Sequence, residues 1–325
     1  MTRHAWPCLL AGSFALSGWS ELQSALAPAG DEARRVALLS WILFVGAAMI
    51  LLIVGIALYV AIKGSERSRR LLGSDQSIKL GGIAFPVVTL TVLLGYGVWL
   101  MRETIAADRT AALRIEVTGE QWWWRVAYAG RNGTAIAEAN ELRIPVGREI
   151  NVVLRSADVI HSFWMPSLGG KLDMLPGRTN TLRLKAERPG IYRGQCAEYC
   201  GGPHALMAME IVALPEAEFE AWLAAGGLPP AGDALEGGRV LFESAGCGAC
   251  HAVRGTQAAG VVGPDLSRVG GRRFLAAATV SNTPENLARF IASGQSIKPG
   301  NLMPEFRIFS DEELHAVAAY LTSLK

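Results

Sequence analysis

Twelve residues, CAEYCGGPHALM (196–207), gather two thiols, an imidazole and a thioether. Cys196, Cys200 and His204 recur every four positions, and Met207 follows three later. A second imidazole, His161, stands upstream in DVIHSFWMPS, just after the strand-like stretch NVVLRS. Soft thiolate and thioether donors select copper over hard cations, and mononuclear blue-copper sites use two His, one Cys and a weak axial Met. Here there is one thiolate too many for a single copper. A thiolate has spare lone pairs, so two cysteines can bridge two copper ions. Each metal then takes one histidine, with Met207 and a backbone carbonyl as weak outer ligands. Such a pair shares one unpaired electron, so its geometry changes little on reduction. A Cys196–Cys200 disulfide in an oxidising compartment and a closed Cys2His2 zinc site compete for the same residues. The zinc reading leaves Met207 unexplained.

A second constellation is CGACH (247–251). Cys-x-x-Cys-His is the haem c attachment motif. Cys247 and Cys250 form thioether bonds to the haem, and His251 is the proximal iron ligand. A thioredoxin-like pair needs a βαβ setting, which the flanking sequence lacks. A zinc ribbon needs another cysteine pair, and the fifth cysteine, Cys8, is solitary. The sixth iron ligand must lie downstream, at Met303 in KPGNLMPEF or His315 in SDEELHAVAAYLTSL. Met303 is favoured because it sits on a loop between helical stretches. His315 falls inside an amphipathic helix that Ser310 and Glu313 start with a capping box. Met/His ligation raises the haem potential, as an electron carrier requires, and it fills both axial sites against oxygen.

These sites need a frame. The chain has 325 residues, half of them hydrophobic, and a mean hydropathy of +0.26, which points to a membrane portion joined to soluble parts. Val36–Ile62 and Leu80–Met101 carry no charge over 27 and 22 residues. Each exceeds the roughly 20 residues that a helix needs to cross a bilayer. Their connection holds Lys63, Arg67, Arg69, Arg70 and Lys79 against Glu66 and Asp75. Cationic short loops stay on the cytoplasmic side, so both ends of the hairpin are expected outside, in the periplasm of a bacterium. Pro86 is tolerable within the first turns of the second helix. Neither span holds Asp, Glu, Lys, Arg or His. The hairpin therefore anchors, and proton relays belong to another subunit. Residues 1–30 read as a signal peptide, with Cys8 an inert residue in it.

From residue 108 to 225 short alternating stretches predict a seven- or eight-stranded Greek-key sandwich: LRIEVTG, WWWRVAY, ELRIPVG, EINVVLRS, NTLRLKA, GIYRGQC and MAMEIVAL. At least one of Trp122, Trp123 and Trp124 belongs in its core. A Gly/Pro-rich linker follows at 226–232, then a helical domain at 233–325. Fourteen acids face 13 Lys+Arg over 108–227, and nine face nine over 233–325. Neither unit has the one-signed surface that electrostatic steering favours, and the net charge of +2 gives no argument for nucleic acid.

Residues 33–213 resemble subunit II of haem–copper cytochrome c oxidase. The matching stretches, in order behind a two-helix anchor, are GEQWWWRVAY, VIHSFWMPSLGGKLDMLPGRTN and GIYRGQCAEYCGGPHALM. The resemblance implies a cupredoxin-like fold and a dinuclear copper centre of the CuA type. Cys196 and Cys200 bridge the metals; His161, His204, Met207 and the backbone carbonyl of Glu198 complete it. It also lends the Glu198 carboxylate to a magnesium ion at the boundary with subunit I, and makes Trp122 the surface point where electrons arrive. Family members often carry a glutamate ahead of the second helix, near a proton path. Lys79 falls there in this chain, which puts a proton-input role in doubt.

CGACH, VGPDL, NLMPEF and the C-terminal helix resemble a class I cytochrome c, in which the carbonyl of the proline, here Pro264, orients the proximal histidine. Together the two resemblances imply the electron-input subunit of a bacterial caa-type oxidase in the inner membrane, partnered by subunit I and by subunit III. Cytochrome c or the membrane cytochrome bc complex would be the donor. Electrons would pass from haem c to copper, then to the catalytic subunit, which reduces oxygen to water and translocates protons. The alternative is the equivalent subunit of a haem–copper nitric oxide reductase. A copper-delivery protein is a third reading, distinguished by copper with no electronic coupling to haem.

Overall fold

The computed structural model describes residues 21–105, 113–130, 135–229 and 235–325. Cys8 and most of the expected leader lie outside the described residues. Helix α1 (Asp31–Lys63) and the helical run Asp75–Arg102 are long and apolar enough to cross a membrane. Their apolar side chains point outward all round, with Leu51 74% and Leu94 69% exposed, as suits a helix surrounded by lipid.

Helix α1 begins five residues before the charge-free stretch. Asp31 and Glu32 occupy its first turn, where the helix dipole favours acids. This turn is not in lipid: Glu32, Ala33 and Ala37 are buried, and the Gly170 N–H donates to Glu32 Oε1 at 3.4 Å. The predicted loop after α1 folds into two short helices, α2 (Glu66–Leu72) and α3 (Asp75–Lys79). Ser65 and Ser74 cap them by accepting the N–H groups of Ser68 and Ser77. A wide π-turn, Leu80–Ala84, runs into α4 (Phe85–Ile105). It widens the helix beside Pro86, which has no N–H to donate.

Among the described residues the sandwich has ten strands rather than seven or eight. They are β1 (Arg114–Glu120), β2 (Trp123–Ala129), β3 (Ala135–Ala139), β4 (Glu141–Pro145), β5 (Ile150–Ser156), β6 (His161–Trp164), β7 (Lys171–Met174), β8 (Asn180–Leu184), β9 (Gly190–Cys196) and β10 (Ala208–Leu214). One sheet runs β3-β2-β1-β5-β8, the other β4-β10-β9-β6-β7. The parallel pairs β1–β5 and β4–β10 tie non-consecutive strands together. Alternating inward residues fill the space between the sheets, and Ile115, Val117, Trp124, Val126, Ile144, Leu154 and Phe163 are fully buried. Each such side chain stabilises the fold by about 1.5–3 kcal/mol. The rest of the frame can therefore hold one loop at a fixed place. Helix α5 (Glu216–Ala225) closes the sandwich with Phe219, Trp222 and Leu223.

The C-terminal domain is helical: α6 (Glu236–Ser244), α7 (Pro284–Ile297) and α8 (Asp311–Ser323). Helices α6 and α8 cross at Gly238, where a Cβ would lie 2.2 Å from the Ala316 carbonyl oxygen. The predicted capping box of Ser310 and Glu313 is formed. A small hairpin, β11 (Phe274–Leu275) and β12 (Val280–Ser281), carries a turn in which Ala276, Ala277 and Ala278 all take left-handed φ, 52°, 57° and 57°.

Candidate metal centres and the interface between them

The two upper ends of β6 and β9 define the first site. His161 opens β6 and Cys196 ends β9, and their strands pair directly. The loop after β9 then doubles back through a 3-10 turn (His204–Leu206) into β10. The Cys196 N–H donates to the Met207 carbonyl at 2.9 Å and closes the loop at its base. Gly201, at φ +109°, lets the chain turn inside it.

The loop brings all the predicted donors together. The ligand atoms of His161, Cys196 and Cys200 lie within 4.8 Å of one another. His161 Nδ1 is 3.8 Å from Cys196 Sγ, His204 Nδ1 is 3.4 Å from Cys200 Sγ, and Met207 Sδ is 3.8 Å from Cys200 Sγ. Cys196 Sγ lies 3.2 Å from the Glu198 carbonyl oxygen. Both cysteines are free thiols. His161, Cys196, Cys200 and Met207 are at most 2% exposed. The Cys200 thiol donates to Cys196 and lowers it to about 4, against the opposing effect of burial; His161 and backbone N–H groups add to the lowering. The same contact pushes Cys200 up. A proton held between two sulfurs is what a cation displaces. The donor set is two sulfur anions, two imidazoles, a thioether and a carbonyl, and it fits copper.

Sequence reasoning missed what orients these groups. Asp158 Oδ1 lies 2.8 Å from His161 Nε2, so the imidazole offers Nδ1 toward the sulfurs. Burial pulls the His161 pKa down, but Cys196 and Asp158 outweigh it and leave it raised. Gln121 Nε2 and Trp122 Nε1 both donate to the Cys200 carbonyl, at 2.8 and 2.9 Å. Asp158 three residues before a histidine was the available signal; Gln121 and Trp122 reach the loop from 78 and more residues away. Of the three tryptophans, Trp124 is the fully buried one, and Trp122 packs against the core's edge.

In the second site a short 3-10 turn, Cys247–Ala249, presents the CGACH residues. The His251 Nδ1–H donates to the Pro264 carbonyl at 2.7 Å, which fixes the tautomer and leaves Nε2 for a metal. Burial lowers the His251 pKa, favouring the neutral ligand form. Gly263 lies against this ring, and a Cβ there would stand 2.4 Å from His251 Cε1. Met303 packs on the domain's core, its N–H held by Asn301 Oδ1 at 3.0 Å. His315 is exposed on α8 and bonded to its own helix at the Asp311 carbonyl. Cys247 and Cys250 are free. Near these residues in sequence, Val261, Val262, Leu302 and Ile308 are 71–85% exposed. Two free thiols, an oriented imidazole and these apolar side chains fit a porphyrin.

The two domains share a polar face. Arg272 meets Glu138 at 3.1 Å with both side chains buried, Arg268 approaches the same carboxylate at 3.8 Å, and Arg273 meets Glu210 at 2.9 Å. Arg143 and Arg125 of the sandwich donate to the Gly271 and Val261 carbonyls. The balanced totals of the sequence hide this pairing: the ion pairs set Glu138 and Glu210 of the sandwich against Arg268, Arg272 and Arg273 of the cytochrome domain, while sandwich arginines reach backbone carbonyls across the face.

The fold and sites define a class: a membrane-anchored, cupredoxin-like copper domain followed by a cytochrome c. Residues 129–214 match the family described as cytochrome c oxidase subunit II, periplasmic domain, and residues 235–325 match cytochrome c. The matched domains imply copper and haem. Cytochrome c oxidase subunit 2 of Alkalihalophilus pseudofirmus is 42% identical over 65% of this chain and 61% of that one. That of Bacillus subtilis is 32% identical over 66% and 63%, and that of Brettanomyces naardenensis 31% over 47% and 70%. The crystal structure of the periplasmic domain of subunit II from Bradyrhizobium japonicum is 36% identical, covering 36% of this chain and 94% of that one, with a TM-score of 0.34. This chain belongs to the cytochrome c oxidase subunit II family, with the fused C-terminal cytochrome c domain of the caa-type oxidases. It spans 61% and 63% of the length of the Alkalihalophilus and Bacillus relatives. It is membrane-anchored, with its exported domains on the periplasmic side.

Proposed function

We propose that the chain is the electron-input subunit of a haem–copper terminal oxidase in a bacterial inner membrane. Electrons would come from cytochrome c or a cytochrome bc complex to its own haem c, then through a dinuclear CuA centre to subunit I, which reduces oxygen and translocates protons; subunit III completes the assembly. The observation that carries this reading is the convergence of His161, Cys196, Cys200, His204, Met207 and the Glu198 carbonyl in one cluster, of which His161, both cysteines and Met207 are buried. The metal groups supply reversible one-electron storage.

The chain's own residues do the rest. Cys196 and Cys200 would hold the copper between them, His161 and His204 would each supply an imidazole to it, and Asp158 keeps His161 in the tautomer that offers Nδ1. The Glu198 carboxylate serves a magnesium ion at the boundary with subunit I. Cys247 and Cys250 would hold the haem through thioether bonds, and His251 and Met303 would supply the ligands of its iron. Trp122 joins the two centres: its indole donates to the Cys200 carbonyl, and a Cβ at Gly300, three residues before Met303, would stand 3.7 Å from its ring. The division into hairpin (33–102), copper domain (108–225), linker (226–232) and cytochrome domain (233–325) follows these roles. A cleaved leader would end before Gln23, because Gln23 already bonds Gln195 and Ala29 is buried. The test is oxygen uptake by the purified complex with reduced cytochrome c, with metal and haem analysis. Rapid uptake with two coppers in this subunit is expected; a single copper, or uptake that bypasses this haem, refutes it.

A further inference from the structure

Lys298 follows α7 in the cytochrome domain, and its sequence setting marks it as an ordinary surface lysine. It is 3% exposed. Among the described residues it forms no ion pair. Its Nζ donates to three backbone carbonyls: Trp122 and Leu206 (2.9 Å) of the copper domain, and Ala276 (3.3 Å) of its own domain. Burial pulls its pKa down to about 7, and in the ammonium form its three donors, with no acceptor, are all used. The two copper-domain carbonyls stand at telling places. Trp122 is the residue whose indole holds the Cys200 carbonyl, and Leu206 precedes the thioether donor Met207.

The turn beside it completes the contact. The Ala277 carbonyl accepts the Ala208 N–H at 3.2 Å, and the Ala278 carbonyl accepts Arg193 Nη2 at 3.0 Å. Three successive alanines in the left-handed region are unfavourable for residues with a Cβ. That conformation aims all three carbonyls at Lys298 and at the copper domain. A buried charge without a carboxylate partner is tolerated only where hydrogen bonds replace its hydration. Here they do so only while the domains are together, since two of the three acceptors belong to the other domain.

We infer that Lys298 is a positioning residue for electron transfer between the two exported domains: its ammonium pins the cytochrome domain onto the copper loop by clasping the carbonyls of Trp122, Leu206 and Ala276. The inference rests on the electron-transfer reading above for its purpose, but not for its contacts. Replacing the lysine takes the ammonium donor from the Trp122 carbonyl on the copper-domain side, while the Ala276 carbonyl keeps the Thr279 hydroxyl at 2.6 Å and the Leu206 carbonyl keeps only its 3.5 Å contact with the same hydroxyl. This shifts the docked–open equilibrium by roughly tenfold or more.

The test uses the full chain in its membrane complex carrying K298M. The Ala208 amide, bonded across the interface, reports opening directly by hydrogen exchange. The expected result is exchange roughly tenfold faster than in the parent, slower haem-to-copper transfer after flash reduction of the haem, and unchanged haem and copper spectra. K298Q, which keeps a donor amide, should lie between K298M and the parent, and it decides the matter if K298M does not assemble. Unchanged Ala208 exchange in the variant that assembles overturns the clasp. A parent complex that lacks the two metal signals overturns the function reading instead, and the exchange comparison still stands.

Discussion

The two metal-binding regions are built on opposite plans. The copper cluster is enclosed by protein: His161 is 0%, Cys196 1% and Cys200 2% exposed, and every donor already touches another donor. The haem-binding region is open. Cys250 is exposed, and Val261, Val262, Leu302 and Ile308 stand out from the domain. The sandwich derives its stability from apolar contacts between sheets, so it presents a finished site to a small ion. The cytochrome domain has a smaller core, and a haem would cover its exposed apolar side chains and so add to its stability. Copper should therefore be an addition to a folded domain, and haem a component of one.

The sharpest way to break this contrast is to remove one sulfur. C196S should abolish the mixed-valence copper signal completely while leaving covalent haem and the melting of the sandwich intact; electron paramagnetic resonance and calorimetry on the same sample check it. Persistence of a seven-line spectrum shared by two coppers would refute the bridging assignment. The complementary change, Cys247→Ala with Cys250→Ala, should destabilise the cytochrome domain by on the order of 5 kcal/mol, because several large apolar side chains lose their cover. Domain-resolved hydrogen exchange should find the sandwich unchanged.

A smaller effect is expected at Asp158. D158N keeps the shape but weakens the acceptor at His161 Nε2, and should lower copper affinity by about 10–100-fold, read by competition with a chelator. The smallest effects separate the two candidate axial ligands. M303A should lower the haem potential and open a site for an added ligand such as imidazole, whereas H315A should change neither potential nor spectrum. Equal responses from both variants would overturn the preference for Met303.

Much of this was legible because copper and haem chemistry draw on residues close in sequence. CAEYCGGPHALM lies in one loop and CGACH in one short turn, so local chain brings most of the donors together, and of the copper donors His161 alone joins from a distant strand. The alternating stretches announced seven strands, since apolar or aromatic residues alternate with polar ones along most of them. Strand β3, AIAEA, was missed because alanine gives little strand signal, and β6 and β7 because four residues are too few to show alternation. The helical turns in the connection after α1 were hidden by its charges, although Ser65 and Ser74 are good caps. Long-range partners were beyond reach: nothing near Lys298 announces that it meets Trp122, 176 residues away. The equal charge totals concealed the sorting of Glu138 and Glu210 against Arg272 and Arg273 for the same reason.

The first turn of α1 has its own consequence. Glu32, Ala33 and Ala37 are buried, Ala29 and Gly30 bond the Ser167 carbonyl, and Arg34 pairs with Glu187. The mast that enters the bilayer is thus welded to the copper domain without a swivel. The height of the copper loop above the lipid is set by the length of a helix, and when the bilayer undulates the loop rides with it. Whatever lies across the membrane surface from that loop meets it at one level and one tilt.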